Sequence, residues 1–254
     1  MMQHTSHLLM IQPVNFGFNT ETAVNNTFQK NMGGDVQQQA LQEFTDFVAV
    51  LRKNKIDVTV VKDSLHPATP DSIFPNNCIS FHADGRIFLY PMFAVNRRLE
   101  RKTAVQEAVK SNFSFTEIID LTGSENDGLF LEGTGSMVLD RENKIAYACL
   151  SPRTDEKLLN EFCKLIDYNP ITFKAIDNTG VDIYHTNVMM ALGEDFSVLC
   201  EEAIEEEWEL IAVRQLLEST NHAIIPITRE QMHSFAGNML EVKNDKDEHL
   251  LVMS

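Results

Sequence analysis

Residues 136–151 read SMVLDRENKIAYACLS, an extended apolar run, the polar turn Asp140-Arg141-Glu142-Asn143 and a second extended run. Apolar, β-branched and aromatic residues on either side of a short turn that tolerates chain reversal predict a β-hairpin. Residues 154–165, TDEKLLNEFCKL, follow at once with apolar residues at three-to-four spacing, the pattern of a helix that buries one stripe. ITFKAI from Ile171 then reads as a short strand. The unit is ββαβ.

The same plan recurs. Hairpins are expected at CISFHADGRIFLYP from Cys78, NVMMALGEDFSVLC from Asn187 and NMLEVKNDKDEHLLVMS from Asn238, so the four starts lie 58, 51 and 51 residues apart. Helices are predicted over 97–112 and 201–219, each followed by a strand, EIIDL from Glu117 and AIIPI from Ala223. The helix–strand half alone opens the chain, with a helix over 36–53 and the strand IDVTVV from Ile56. LLMIQ, residues 8–12, is a strand without a hairpin partner, which predicts a circular array closed by pairing chain start with chain end. Residues 1–254 read as one α/β domain whose last unit stops after its hairpin, so a helix and a strand, about 40 to 50 residues, are expected to be missing.

Composition narrows the function. With 21 Lys+Arg against 37 Asp+Glu the formal charge is −16, which disfavours nucleic acid and anionic membrane surfaces as partners and favours a small solute. Hydrophobic residues at 43% and charged residues at 23% are those of a globular chain rather than a disordered one. Cys78, Cys149, Cys163 and Cys200 form neither a CxxC metal spacing nor a disulfide framework, so a reducing, cytoplasmic setting is expected. Neither a signal h-region nor an apolar run of about 18 residues is present in the sequence.

In a circular array the strand ends of successive units face a common axis, so residues scattered in sequence can converge. The candidates are Asp71, Asn76 and Asn77 in PDSIFPNN, Arg97 and Arg98 after the first hairpin, Glu132 in FLEGTGS, Arg153 in LSPRT, and His185 and Asn187 in IYHTN. Each also has a plainer reading: a turn or N-cap role for Asp71, a turn-side carboxylate for Glu132, a structural imidazole for His185. Arginines that open helices face the positive end of the dipole, which leaves them either solvated or selected for something else.

Taken together, PDSIFPNN, LEGTGS, LSPRT and YHTN on a ββαβ repeat resemble the pentein superfamily of guanidino-modifying enzymes. This superfamily includes arginine deiminases, dimethylarginine dimethylaminohydrolases and amidinotransferases, and the stretches at 73–77 and 90–98 are most similar to its citrulline-utilisation hydrolase branch. The resemblance implies a five-bladed α/β propeller and covalent hydrolysis of a non-peptide C–N bond in an arginine- or citrulline-like amino acid. It implies that His185 is the general acid and base, that Glu132 holds the planar nitrogen donors, that Asp71 contacts substrate, and that Arg153 with Arg97 or Arg98 grips the substrate carboxylate. No metal or cofactor is implied, and a homo-oligomer remains open. The family's cysteine nucleophile sits in a glycine-rich strand near the C-terminus, a slot filled by none of the four cysteines, so it is expected beyond residue 254. Amidino transfer, or ligand binding without catalysis, is the alternative. Asn77 and Asn187 stand where arginine-specific relatives carry aspartates, which favours a neutral ureido head group over a guanidinium.

Overall fold

The computed structural model describes residues 3–29, 31, 33 and 35–253. The four expected hairpins form as antiparallel pairs: β3 (Ile79–Phe81) with β4 (Arg86–Leu89), β6 (Val138–Asp140) with β7 (Ile145–Cys149), β9 (Met190–Leu192) with β10 (Phe196–Leu199), and β12 (Met239–Lys243) with β13 (His249–Met253). The first three gain a parallel third strand through a helical crossover: β5 (Glu117–Asp120), β8 (Asn169–Phe173) and β11 (Ala223–Pro226). Parallel pairing is what a helix inserted between two strands enforces, because the chain must return to the same end before it can pair again.

The opening strand differs from its expectation. β1 (His7–Gln12) does not pair with the last hairpin; it pairs in parallel with β2 (Asp57–Lys62) across the helix Val36–Lys53. By that pairing β1 holds the place of a second hairpin strand, and it pairs with no other strand among the described residues. The last hairpin meets it by packing. Val242, Leu250 and Val252 join Leu8, Met10, Val58 and Leu51 in one apolar cluster, and Lys243 N–H donates to the Thr5 carbonyl at 3.0 Å.

Two helices are shorter than their periodicity predicts. The run from Arg97 splits into Val95–Arg98 and Thr103–Asn112, because Glu100 folds back onto the Arg97 guanidinium and the Lys102 ammonium reaches the Asp63 carboxylate at 2.6 Å. The run from Glu201 begins as a short 3₁₀ turn, and the helix starts only at Glu207, because Ile204 is extended and bridges Ala175. The helix Glu156–Ile166 is regular; the Asp155 carboxylate caps it by accepting from Leu158 N–H at 3.0 Å. Its apolar stripe of Leu158, Leu159, Phe162 and Ile166 is buried against Phe88, Tyr90 and Met137, so neighbouring ββαβ units share one core.

Candidate active site

The motifs that stand far apart in sequence are fastened to one another at their backbones. In LEGTGS the Ser136 hydroxyl accepts from Glu132 N–H and donates to the Arg153 carbonyl, both at 2.8 Å, which ties Glu132 to the LSPRT turn. Thr186, the residue after His185, donates its hydroxyl to the Ser136 carbonyl at 2.6 Å and accepts from Cys149 N–H at 2.8 Å. Ser136 and Thr186 are fully buried, so these bonds fix where Glu132 and His185 project.

The two side chains then meet. His185 Nε2 lies 2.7 Å from Glu132 Oε2, with Glu132 0% and His185 4% exposed. The other carboxylate oxygen, Oε1, accepts from Phe93 N–H at 2.9 Å. Burial by itself would raise the Glu132 carboxyl, but the His185 hydrogen bond and the Arg153 and Arg97 charges outweigh it and bring it down to about 2. Burial takes His185 down to about 4, with the two arginines adding to the effect and Glu132 opposing it. Near neutral pH the pair is therefore a carboxylate and a neutral imidazole, with Nε2–H donating to Oε2 and the Nδ1 lone pair without a partner among the described residues. Gly135 faces that lone pair: a Cβ there would sit 2.7 Å from Nδ1 and 2.3 Å from Asn77 Nδ2, so only glycine leaves the space in front of the imidazole open.

Two buried arginines flank the pair. Arg97 is 3% exposed and its guanidinium forks onto Glu100 at 2.8 and 3.0 Å, with Nη1 donating to Asn77 Oδ1 at 2.8 Å. Its remaining bonds reach the Asp71 and Phe74 carbonyls, and Nη1 stands 3.9 Å from Glu132 Oε2. Because Arg97 only donates, the Asn77 amide must offer its oxygen there, which turns its NH₂ toward Gly135 and the His185 ring. Arg153 is 1% exposed and lies 3.5 Å from Glu132 Oε2 with its guanidinium over the Tyr184 ring at 4.8 Å.

The other predicted residues are placed as follows. Asp71 joins the cluster, its Oδ2 accepting from Asn19 Nδ2 at 2.7 Å and the Thr22 hydroxyl at 3.1 Å. Asn76 borders it through its carbonyl, which accepts from the Thr134 hydroxyl at 3.4 Å. Asn187 contributes its carbonyl to Asn238 at 3.0 Å. Arg98 points elsewhere, donating to the Met92 and Phe93 carbonyls and lying over the Phe130 ring, so Arg97 is the member of the pair that belongs to the cluster. Each Glu132 oxygen has one partner within the protein, Phe93 N–H on Oε1 and His185 Nε2 on Oε2, and each keeps a second lone pair. Arg153 has donors on the Thr22 carbonyl at 2.8 Å and on Asn25 Oδ1.

Those last contacts belong to a segment that the sequence reading passed over. Residues 13–29 run across the cluster and deliver Asn19, Thr22 and Asn25 to Asp71 and Arg153. The signal was there: a stretch of about 20 residues between a strand and a helix, rich in Asn and Thr, is too long for an ordinary connection. Glu100 was missed as well, hidden inside what read as a continuous helix. The four cysteines are all free and buried, and burial pushes Cys78, Cys149 and Cys163 up to about 12 and Cys200 to about 11, so none is poised as a thiolate.

Against known proteins, the model of the family described as N,N dimethylarginine dimethylhydrolase, eukaryotic, matches residues 12–254. The chain belongs to that family. With it comes membership of the pentein superfamily, and solved structures share the fold. The N-terminal domain of ArgZ, an arginine dihydrolase from the ornithine-ammonia cycle in cyanobacteria, superposes with a TM-score of 0.70 at 18% identity over 92% of this chain and 80% of its own. AgrE in complex with ornithine and NAD⁺ gives 0.74 at 20% identity over 93% of this chain and 32% of its own. A dimethylarginine dimethylaminohydrolase bearing an S-methyl-L-thiocitrulline adduct gives 0.64 at 13% identity, covering 98% and 84%. The chain thus spans about a third of full-length ArgZ and AgrE. No curated protein sequence matches it. Among the described residues no helix is long and apolar enough to cross a membrane.

Proposed function

We propose that this chain carries the acid–base and substrate-orienting half of a hydrolase for the terminal C–N bond of a guanidino or ureido group on an amino acid, with a neutral citrulline-like head group preferred. The buried Glu132–His185 pair carries the reading. A neutral imidazole held on one side by a carboxylate, with its other nitrogen open, accepts a proton from an attacking thiol and passes it to the departing amine, while Glu132 stabilises the imidazolium formed between the two steps. Water then attacks the thiocarbamate formed from a ureido group, or the thiouronium formed from a guanidino group; His185 takes the water's proton, the C–S bond breaks, and the departing thiolate receives that proton from the imidazolium.

The preference for a neutral head group rests on Asn77. Its oxygen is committed to Arg97, so the side of its amide turned toward His185 is a donor. A ureido oxygen accepts such a bond, whereas a guanidinium has only donors and finds no match. Asp71 and Arg97 bound the space, and Arg153 binds a substrate carboxylate if Thr22 and Asn25 yield it. Amino-acid substrates accord with the ornithine and thiocitrulline ligands of the structural neighbours.

The five sheets are read as blades of one domain around this cluster, with β1 and β2 as a blade whose first strand comes from elsewhere. β1 lies against the Pro75–Asn77 turn, so a strand added along the edge that is unpaired among the described residues would lie near that turn. That strand is our assignment for the nucleophilic cysteine, which the four buried thiols do not supply.

The test is release of the leaving amine by the full-length gene product: ammonia from citrulline and arginine, and dimethylamine from dimethylarginine. Citrulline should match or exceed arginine in kcat/KM, and Asn77→Asp should tilt the ratio toward arginine by about tenfold to a hundredfold, the value of one charged hydrogen bond. A strong native preference for arginine, or an unchanged ratio in Asn77→Asp, overturns the head-group assignment. His185→Ala should cost about 10² to 10⁴ in turnover. Full activity in that variant would remove the acid–base role, and no activity on any of the three substrates would leave a binding module.

A further inference from the structure

Apart from the Glu132 cluster, four side chains from distant parts of the sequence converge: His4 ahead of β1, Glu194 in the β9–β10 turn, Glu241 on β12 and His249 opening β13. Glu194 Oε2 lies 3.4 Å from His4 Nε2 and 3.2 Å from His249 Nε2. Behind the imidazoles, Glu241 Oε1 is 2.8 Å from His249 Nδ1 and Oε2 is 3.5 Å from His4 Nδ1. The two rings stand edge to face with centroids 4.5 Å apart. We propose that these residues bind a divalent metal ion of the zinc class, with His4 Nε2, His249 Nε2 and Glu194 Oε2 as ligands, Glu241 as the carboxylate behind both histidines, and water as the fourth ligand.

The distances carry the proposal. Ligand atoms about 2.0–2.1 Å from a zinc ion at the tetrahedral angle lie about 3.3 Å apart, so the two measured separations are already edges of that tetrahedron. A histidine that ligates through Nε2 presents Nδ1–H on its far side, and ligating histidines regularly give that proton to a carboxylate. Glu241 stands there for both rings, one oxygen to each. The His4 side chain is 2% exposed and its Nδ1 has no hydrogen-bond partner among the described residues, a costly arrangement for a bare imidazole. A metal on Nε2 fixes the tautomer that turns this nitrogen into a donor toward Glu241. The chain makes room for the arrangement at Gly193, where a Cβ would fall 2.6 Å from Glu241 Oε2.

Two imidazoles and a carboxylate select zinc-like ions over calcium or magnesium, which prefer all-oxygen shells. Glu194 is 50% and His249 33% exposed, so an ion has a way in and a water has space to bind. The ligands come from the N-terminal segment, the third hairpin and the fourth, parts that also meet through the apolar cluster of Leu8, Met10, Val242, Leu250 and Val252 and through the bond from Lys243 N–H to the Thr5 carbonyl. The ion is thus a structural staple between chain start and last hairpin. Sequence spacing hides it, because positions 4, 194, 241 and 249 match no short ligand motif.

Isothermal titration of the 254-residue chain with zinc chloride, beside calcium and magnesium chloride, tests this. One zinc per chain should bind, should raise the thermal midpoint, and should bind more tightly than calcium or magnesium. His249→Ala and Glu194→Gln, both at partly exposed positions, should weaken zinc by at least about tenfold, and Glu241→Gln by about ten- to a hundredfold. Thermal midpoints in chelator verify that each variant is folded. Failure of the unsubstituted chain to take up zinc in a saturable way, or unchanged zinc affinity in both His249→Ala and Glu194→Gln, overturns the site.

Discussion

Glu132 and His185 tie the protein's stability to pH. Folded His185 titrates near 4 against an ordinary value of 6.5, so between those values the unfolded chain holds the extra proton and stability falls as pH falls. Folded Glu132 titrates near 2 against 4.5, so its contribution is present above pH 4.5 and is lost as the pH drops toward 2. The two windows adjoin, and both displacements act in the same direction. They share one contact and are not summed; the His185 part alone is on the order of 3 kcal/mol between pH 6.5 and 4. Urea denaturation over that range should show the decline, and His185→Gln should flatten it relative to the unsubstituted chain. Parallel pH profiles for the two proteins would mean that this imidazole is not the group being titrated.

Between residue and molecule, the short elements at the strand ends do the positioning. The Gly133–Ser136 turn brings Gly135 under Asn77 and His185, while its serine binds the Arg153 carbonyl. Gly135→Ala should cost about 1–3 kcal/mol, because its methyl has to displace two buried side chains that are hydrogen-bonded elsewhere. It should also reduce turnover in the full-length protein by moving the imidazole off Glu132. A variant with native stability and native turnover would show that the turn tolerates a side chain there. Helix periodicity was a good guide to this scale where a helix packs alone, as at Val36–Lys53, whose bounds are those read from the sequence. It overran where polar side chains leave the helix for partners elsewhere, Glu100 for Arg97 in the cluster and Lys102 for Asp63 outside it.

For the whole molecule, burial of all four cysteines makes a prediction that is independent of substrate. A thiol reagent such as iodoacetamide should label none of Cys78, Cys149, Cys163 and Cys200 in the folded 254-residue chain, and all four in denaturant, since attack requires an accessible thiolate. Rapid modification of any one in the native state would make it a rival for the nucleophile.

The repeat, its hairpins, its crossover helices and the order of the motifs were readable from the sequence, because turn residues and apolar periodicity act over a few neighbouring positions. Family resemblance then marked Glu132, His185, Arg97, Arg153 and Asp71, and tertiary structure alone shows them in one buried cluster. Tertiary structure also decided which of Arg97 and Arg98 turns inward, that Glu132 turns one oxygen to His185 and the other to Phe93, and that Asn19, Thr22 and Asn25 cover the cluster. It paired β1 with β2 where sequence favoured closure on the last hairpin, since a parallel partner one helix away is indistinguishable in local pattern from a distant one. His4, Glu194, Glu241 and His249 make the same point: their meeting depends on how separate units stack, and hydrophobic burial across the units sets that stacking without leaving a mark near any of the four.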